Sequence, residues 1–206
     1  MKLDYGCGNG GFMELLDNRI DRGSWLDFNG GIDAVGIDHR KDYILSAKKR
    51  INNGTEFVIA DGKYLPFKSS IFDSIHSNGV MHHIENHCYA LNEITRVSKS
   101  GADIYIMESV SNDPFFAIFR KMLNIWQGDT VESFFTSSEL LFNMSWNYDI
   151  LEKRYYWRST IGDILAYFNL ESDISLKFNN FVTFVLRKIH LDKLFCSHFI
   201  VVMVRK

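Results

Sequence analysis

A glycine-dense loop stands near the front of the chain: residues 3–11 read LDYGCGNGG, with Gly6, Gly8 and Gly11 in GxGxxG spacing. A short apolar strand that runs straight into such a loop has few homes. The glycines allow a tight turn that brings main-chain N–H groups close to a ligand, and a helix must follow to carry the chain back over a sheet. That geometry belongs to strand–helix–strand units, whose parallel strands need covering helices.

The rest of the chain keeps this beat. Residues 1–3 form a strand stub, and residues 11–20, with Phe12, Leu15 and Leu16 on one face, a helix. Residues 34–37 make a second strand, and Ile44, Ala47 and Ile51 mark a second helix. Residues 57–60, 72–77 and 102–107 read as strands three to five. Between the last two, Ala90, Leu91, Ile94 and Val97 recur at helical spacing, with Gly101 as the C-terminal stop. Thr136 and Glu139 form a capping box for a short helix, residues 149–157 a sixth strand, and the unbroken apolar run 199–204 a buried last strand. Residues 112–135 and 159–196 interrupt the pattern as insertions. The second carries two amphipathic repeats, one through Ile161, Ile164, Leu165 and Phe168, the other through Phe178, Phe181, Val182, Val185, Leu186 and Ile189. The expectation is an α/β fold, one doubly wound domain over residues 1–206 with helices on both faces of a mostly parallel sheet.

Composition narrows the function. At 206 residues, one domain buries roughly 70% of the surface of its unfolded chain and needs no disulfide or metal to be stable. The aromatic share of 15% leaves apolar side chains enough for a pocket or an interface. Net charge is −2 and the basic residues are scattered, which excludes an obvious phosphate-backbone footprint; no nucleic-acid partner is expected. Cys7, Cys88 and Cys196 share no metal or redox spacing and read as reduced thiols of a cytoplasmic protein, Cys7 being a small residue packed under the turn. No stretch has signal-peptide character and no run of about 18 apolar residues occurs, so the chain is expected to be neither exported nor membrane-spanning.

In an open parallel sheet, ligands bind beyond the carboxyl ends of the strands, so the residues just after each strand carry the information. After strand one come Asp4, Tyr5, Gly6, Cys7, Gly8, Asn9 and Gly10; after strand two, Asp38 and His39; after strand three, Asp61 and Gly62; after strand four, Asn78, Gly79, His82 and His83. A dinucleotide fits this set poorly, because Asp4 puts a carboxylate where a pyrophosphate must approach backbone N–H groups. A cationic ligand reverses the sign. S-adenosylmethionine carries an ammonium, a carboxylate, a ribose and an adenine around its sulfonium. Asp4 suits the ammonium, the helix start at residues 8–11 the carboxylate, Asp38 the ribose hydroxyls, and Asp61 the adenine amino group. Three acids after three successive strands discriminate between the two ligands.

These segments, LDYGCGNGG, VGIDHR (35–40) and ADGKYLPFKSSIFDSIHSNGVMHHI (60–84), resemble the class I, Rossmann-like S-adenosylmethionine-dependent methyltransferases. The likeness is to the subgroup that includes the ubiquinone and menaquinone biosynthesis enzymes, and it covers residues 1–110. It implies a seven-stranded sheet whose last strand runs antiparallel, S-adenosylmethionine as cofactor and S-adenosylhomocysteine as product. Two departures stand out. Family members carry helices ahead of the first strand, so this chain is expected to have a cofactor site short of that cover, with the C-terminal helices as substitute. Asp38 also lies 32 positions after Gly6, where about 20 is usual for the ribose acid; a polar loop at 21–32 accounts for the excess, and Asp33 is the fallback.

Methyl transfer from a sulfonium is an in-line displacement that alignment alone can largely promote, so a base is optional. His82 and His83 are the candidates for one, and a structural role behind strand four is the alternative for either. His83 and His87 are four apart, as metal ligands on a helix would be, but no third ligand is placed and no metal is expected. Asp73 is read as a structural acid that bonds neighbouring backbone or the glycine loop, and Tyr5 as packing or a cofactor contact. The insertions, with Phe115, Phe116, Phe119, Trp126, Phe134, Phe135, Tyr155, Tyr156 and Trp157, are expected to form a lid over an apolar small-molecule pocket. The same helices offer a homodimer surface, and Lys177, Arg187, Lys188 and Lys193 would allow peripheral membrane contact. Two other functions stay open: a non-catalytic cofactor-binding partner subunit and a nicotinamide-dependent oxidoreductase.

Overall fold

The computed structural model describes residues 1–10, 32–113, 117–118, 121–122, 135–156, 173–193 and 195–206. Seven strands form one sheet: β1 (Lys2–Tyr5), β2 (Ala34–Asp38), β3 (Glu56–Ile59), β4 (Phe72–Asn78), β5 (Ser98–Ser109), β6 (Tyr148–Tyr156) and β7 (His198–Arg205), in the order β3-β2-β1-β4-β5-β7-β6. The first five pair in parallel. β7 runs antiparallel to both β5 and β6. The order leaves β1 toward β2 and β3, then returns to β4 on its other side. The carboxyl ends of β1 and β4 therefore flank the topological switch point, where doubly wound sheets bind ligands.

Side chains alternate across β1: Leu3 and Tyr5 face one way, Asp4 the other. On the Leu3 face, α2 (His87–Val97) buries Ala90, Leu91, Ile94 and Val97 in one core with Ile75, Ile104 and Ile106. The short helix α3 (Ser137–Ser145) adds Leu140 and Met144 to it. On the Asp4 face, α1 (Lys41–Arg50) sets Ile44 and Ala47 against Phe57 and Cys7. The capping box of α3 is present: the Thr136 hydroxyl accepts from Glu139 N–H, and the Glu139 carboxylate accepts from Thr136 N–H.

Three expectations need correction. Gly101 does not stop α2, which ends at Val97 with Ser98 as its extended C-cap; Gly101, at φ +78°, lies inside β5 where the ladder jumps from Phe72↔Ser98 to Ser74↔Asp103. A left-handed glycine serves an irregular strand as well as a helix end. Asp73 is the structural acid expected but does not reach the glycine loop: at the start of β4 its carboxylate pairs with the Met1 ammonium and Lys99, and its own N–H donates to Met1 O at 2.9 Å. Phe135 is buried in the core and so is not a lid residue, whereas Tyr155 is half-buried against that core, its ring tilted at 37° to Phe199 at 5.1 Å.

The second amphipathic repeat is helix α4 (Asp173–Lys188). The helices expected at 11–20 and 161–168, and Phe115, Phe116, Phe119, Trp126, Phe134 and Trp157, lie outside the described residues, as does the side chain of Tyr156. Among the described residues no helix is long and apolar enough to cross a membrane.

Candidate active site

The glycine loop leaves β1 in a tight turn, with Cys7 N–H donating to Ile37 O at 2.8 Å and Gly10 N–H to Cys7 O at 3.0 Å. Gly6 sits at φ +76°, and a Cβ there would fall 2.3 Å from Val80 Cγ2. No other residue can hold this position, because the turn after β4 fills the space. Cys7 is buried against Ile44, Ala47 and Phe57, and burial pushes its thiol far up, so it is a packing residue and not a nucleophile.

Asp38 ends β2 and ties the loop down. Its Oδ2 accepts from Gly8 N–H at 3.0 Å and its Oδ1 from Arg40 N–H at 2.9 Å, while the exposed His39 ring lies 3.5 Å from Oδ1. The Gly8 amide, expected to face a ligand carboxylate, is thus engaged by Asp38. Asp33 precedes β2 and stands at the opposite end of the strand, where its carbonyl accepts from Lys2 N–H. Strand direction removes it from the site.

Asp4 is only 2% exposed, and among the described residues its Oδ2 has no hydrogen-bond partner. The nearest base among them, His76, is 4.0 Å away, too far for a hydrogen bond, and burial holds its pKa down near 3, so it stays neutral on its stack with Tyr105. The pair therefore carries no opposite charges. Burial, and then the charge of Asp38, raise Asp4 from its ordinary 3.8 to about 7. A carboxyl so buried at a switch point is a candidate site for a cationic group.

Asp61 follows β3, its side chain 51% exposed, with Oδ1 accepting from Lys63 N–H at 2.9 Å. The next residue, Gly62, lies directly over Tyr5: an added Cβ would come within 2.1 Å of the phenol oxygen. The Tyr5 ring is fully buried in the main core, which makes it the floor beneath this loop. The loop is also braced from outside. Arg96 donates to Leu65 O and Phe67 O, and Glu93 accepts from both Arg96 and Leu65 N–H. Nothing in the spacing of Glu93 and Arg96 betrays this, since an i,i+3 pair on a helix reads as a surface salt bridge.

After β4, Asn78 ends the strand and Gly79 N–H donates to Met107 O at 2.8 Å. Residues Met81–His83 form one turn of 3₁₀ helix in which His82 is buried and His83 exposed, their rings 4.1 Å apart. His82 Nδ1 lies 2.8 Å from Oε2 of Glu108. Glu108, near the end of β5, is the residue the sequence reading missed, because it placed the end of that strand at Met107. Position was the one signal, an acid at a parallel strand's carboxyl end, and by itself it does not set Glu108 apart from a surface acid. His87 faces away, its Nε2 3.0 Å from the Asn143 amide nitrogen of α3 and its ring against Phe135.

The geometry gathers Asp4, Asp38, Asp61 and the glycine loop beside the histidine turn, and residues 2–162 match the family described as a methyltransferase domain. The chain belongs to that family. Its sheet is that of the Rossmann-like, class I enzymes, which use S-adenosylmethionine, and membership sets the nicotinamide reading aside. It is 26% identical over 135 residues to the ubiquinone/menaquinone biosynthesis C-methyltransferase UbiE of Agrobacterium fabrum, covering 64% of this chain and 49% of that protein. It is 29% identical over 106 residues to the Probable tRNA methyltransferase 9B of Mus musculus, covering 50% of this chain and 20% of that one. The chain thus spans about half, or less, of the length of these relatives. The complex between the Haloferax volcanii Trm112 methyltransferase activator and a methyltransferase superposes with a TM-score of 0.64 at 15% identity, covering 98% of this chain and 81% of that one. That likeness concerns the fold.

Proposed function

We propose that this chain transfers a methyl group from S-adenosylmethionine to a small acceptor, apolar or aromatic in character, by in-line displacement. One juxtaposition carries the reading: Asp4, Asp38 and Asp61, spread over 58 positions of sequence, stand at the carboxyl ends of three neighbouring strands, and the innermost keeps an oxygen without a hydrogen-bond partner among the described residues. That donor set fits the cofactor. The Asp4 carboxylate takes the ammonium, Asp38 the ribose hydroxyls and Asp61 the adenine amino group. Bound there, the cofactor supplies an electrophilic methyl on a good leaving group. The chain's own residues then have two tasks, to align the acceptor and, through His82 or the exposed His83, to accept its proton. A net charge of −2 without a basic stripe favours a small acceptor over RNA.

Calorimetry with S-adenosylmethionine and S-adenosylhomocysteine tests this. Binding by the intact protein is expected, weakened at least about tenfold by Asp38→Ala, which removes two charged hydrogen bonds from the loop. No binding by the intact protein would end the proposal. A second reading draws on the Haloferax complex: the chain acts as one subunit and turns over only with a partner. Cofactor binding without methyl transfer, restored on adding a co-purifying protein, would establish it.

A further inference from the structure

Glu108 lies in β5 one residue before its end, and its side chain is fully buried. Its Oε1 accepts from Val80 N–H at 2.8 Å and Met81 N–H at 2.7 Å, and its Oε2 lies 2.8 Å from His82 Nδ1. Amide hydrogens can only be donated, so Oε1 is an acceptor twice over and Oε2 is the oxygen left for the imidazole. A carboxylate has no hydrogen to give, and Oε2 must therefore receive one from the imidazole. The proton of a neutral His82 sits on Nδ1, leaving the lone pair on Nε2. The ring is also aimed: its Cε1 is 3.7 Å from where a Cβ would stand on Gly79, so one edge faces the carboxyl end of β4. His82 and the turn that carries it are held by a single side chain 26 positions later.

We infer that Glu108 is a positioning residue for methyl transfer, fixing His82 in the tautomer and orientation that make Nε2 the base for the acceptor's proton. The inference rests on the proposed methyltransferase function. Being buried, Glu108 itself touches neither acceptor nor cofactor. In the step, the acceptor's O–H or N–H bond breaks as its oxygen or nitrogen bonds to the methyl carbon, while the methyl–sulfur bond breaks and its electron pair leaves on the sulfur of S-adenosylhomocysteine. The proton goes to Nε2, and the positive charge of the resulting imidazolium is opposed by Glu108 through Nδ1. A merely structural acid would also leave the proton on Nδ1, but its replacement would change the stability of the turn and not the rate of methyl transfer.

Long-range ¹H–¹⁵N spectra of the histidine-labelled full chain at pH 8 read this directly, with the His82 signals assigned by their loss in His82→Gln. Wild type is expected to show Nδ1 protonated and Nε2 bare, and Glu108→Gln to show a mixed or reversed tautomer. Calorimetric affinity of Glu108→Gln for S-adenosylmethionine should stay within about threefold, while transfer of labelled methyl into a metabolite extract falls by about 100- to 10,000-fold, the range positioned proton transfer supplies. His82→Gln should fall equally. A protonated Nε2 in wild type overturns the inference, and so does a His82→Gln or Glu108→Gln protein that transfers methyl at the wild-type rate. If Glu108→Gln does not fold, the wild-type spectrum and the His82→Gln rate decide it. A wild-type protein that neither binds the cofactor nor transfers methyl refutes the methyltransferase reading, a result distinct from any tautomer outcome.

Discussion

Asp4 turns the site into a proton-linked one. Its carboxyl is buried beside Asp38, with the nearest base held neutral, and its pKa lies near 7 instead of its ordinary 3.8. In the absence of ligand, about half of the molecules at pH 7 therefore carry a proton on Asp4. An ammonium needs the ionised form, so binding must expel that proton. The cost follows from the fraction protonated: relative to pH 8, affinity at pH 6 should be weaker by about tenfold, or ~1.4 kcal/mol, and about half a proton should leave per cofactor bound at pH 7. Calorimetry at pH 6, 7 and 8, in buffers of different ionisation enthalpy, measures both. The ligand's own amine also titrates, but equally against every variant, so the difference between wild type and Asp4→Asn isolates the carboxyl. Asp4→Asn should bind weakly with the smaller slope. Identical pH slopes in the two proteins, or no proton release by wild type at pH 7, would refute the assignment of the ammonium to Asp4.

Ligand-free stability should follow the same carboxyl. Because its folded pKa is raised, the folded state holds more protons than the unfolded one between about pH 4 and 7. Stability therefore falls across that window, by roughly 4 kcal/mol at most, and urea melts of Asp4→Asn should lack the fall. Gly62→Ala should destabilise by about 1–3 kcal/mol through overpacking on the Tyr5 hydroxyl, and Tyr5→Phe in the same chain should recover part of the loss in thermal melts, since the ring carbon remains 2.7 Å from the new methyl. Gly6→Ala should lose about 1–3 kcal/mol to backbone strain at φ +76° in addition to its clash with Val80. Adding Val80→Ala should relieve only the clash, leaving stability below wild type.

How much of this was legible depended on whether the determinant was local. The strand beat, the glycine loop and the α3 capping box are written in neighbouring residues, and the acids near the carboxyl ends of β1, β2 and β3 follow from the beat. The choice between Asp38 and Asp33 needed strand direction, since both flank β2 and only one points to the switch point. Glu108 was beyond reach for another reason. Its partners Val80, Met81 and His82 meet it only once β4 and β5 lie side by side, and an isolated Glu near a strand end looks like any surface acid. Tyr5 shows the same limit: its two readings were packing and cofactor contact, and only the approach of Gly62, 57 positions later, settles where the hydroxyl goes.

The same long-range packing joins the two halves of the site. Gly6 lacks a side chain because Val80 occupies that space, and the Val80 amide is held by the carboxylate that receives His82. The loop that would hold the cofactor and the turn that would face the acceptor are therefore in van der Waals contact and share one anchor, Glu108. On the far side, Asp38 locks the loop to β2 through Gly8, and the Ala60 amide donates to the Asp38 carbonyl, extending the chain of contacts to the strand that precedes Asp61. In-line transfer slows by about 100-fold when the two reactants are misaligned by about 1 Å. A site whose cofactor and acceptor elements brace each other directly holds that alignment through the strand ends and turns themselves.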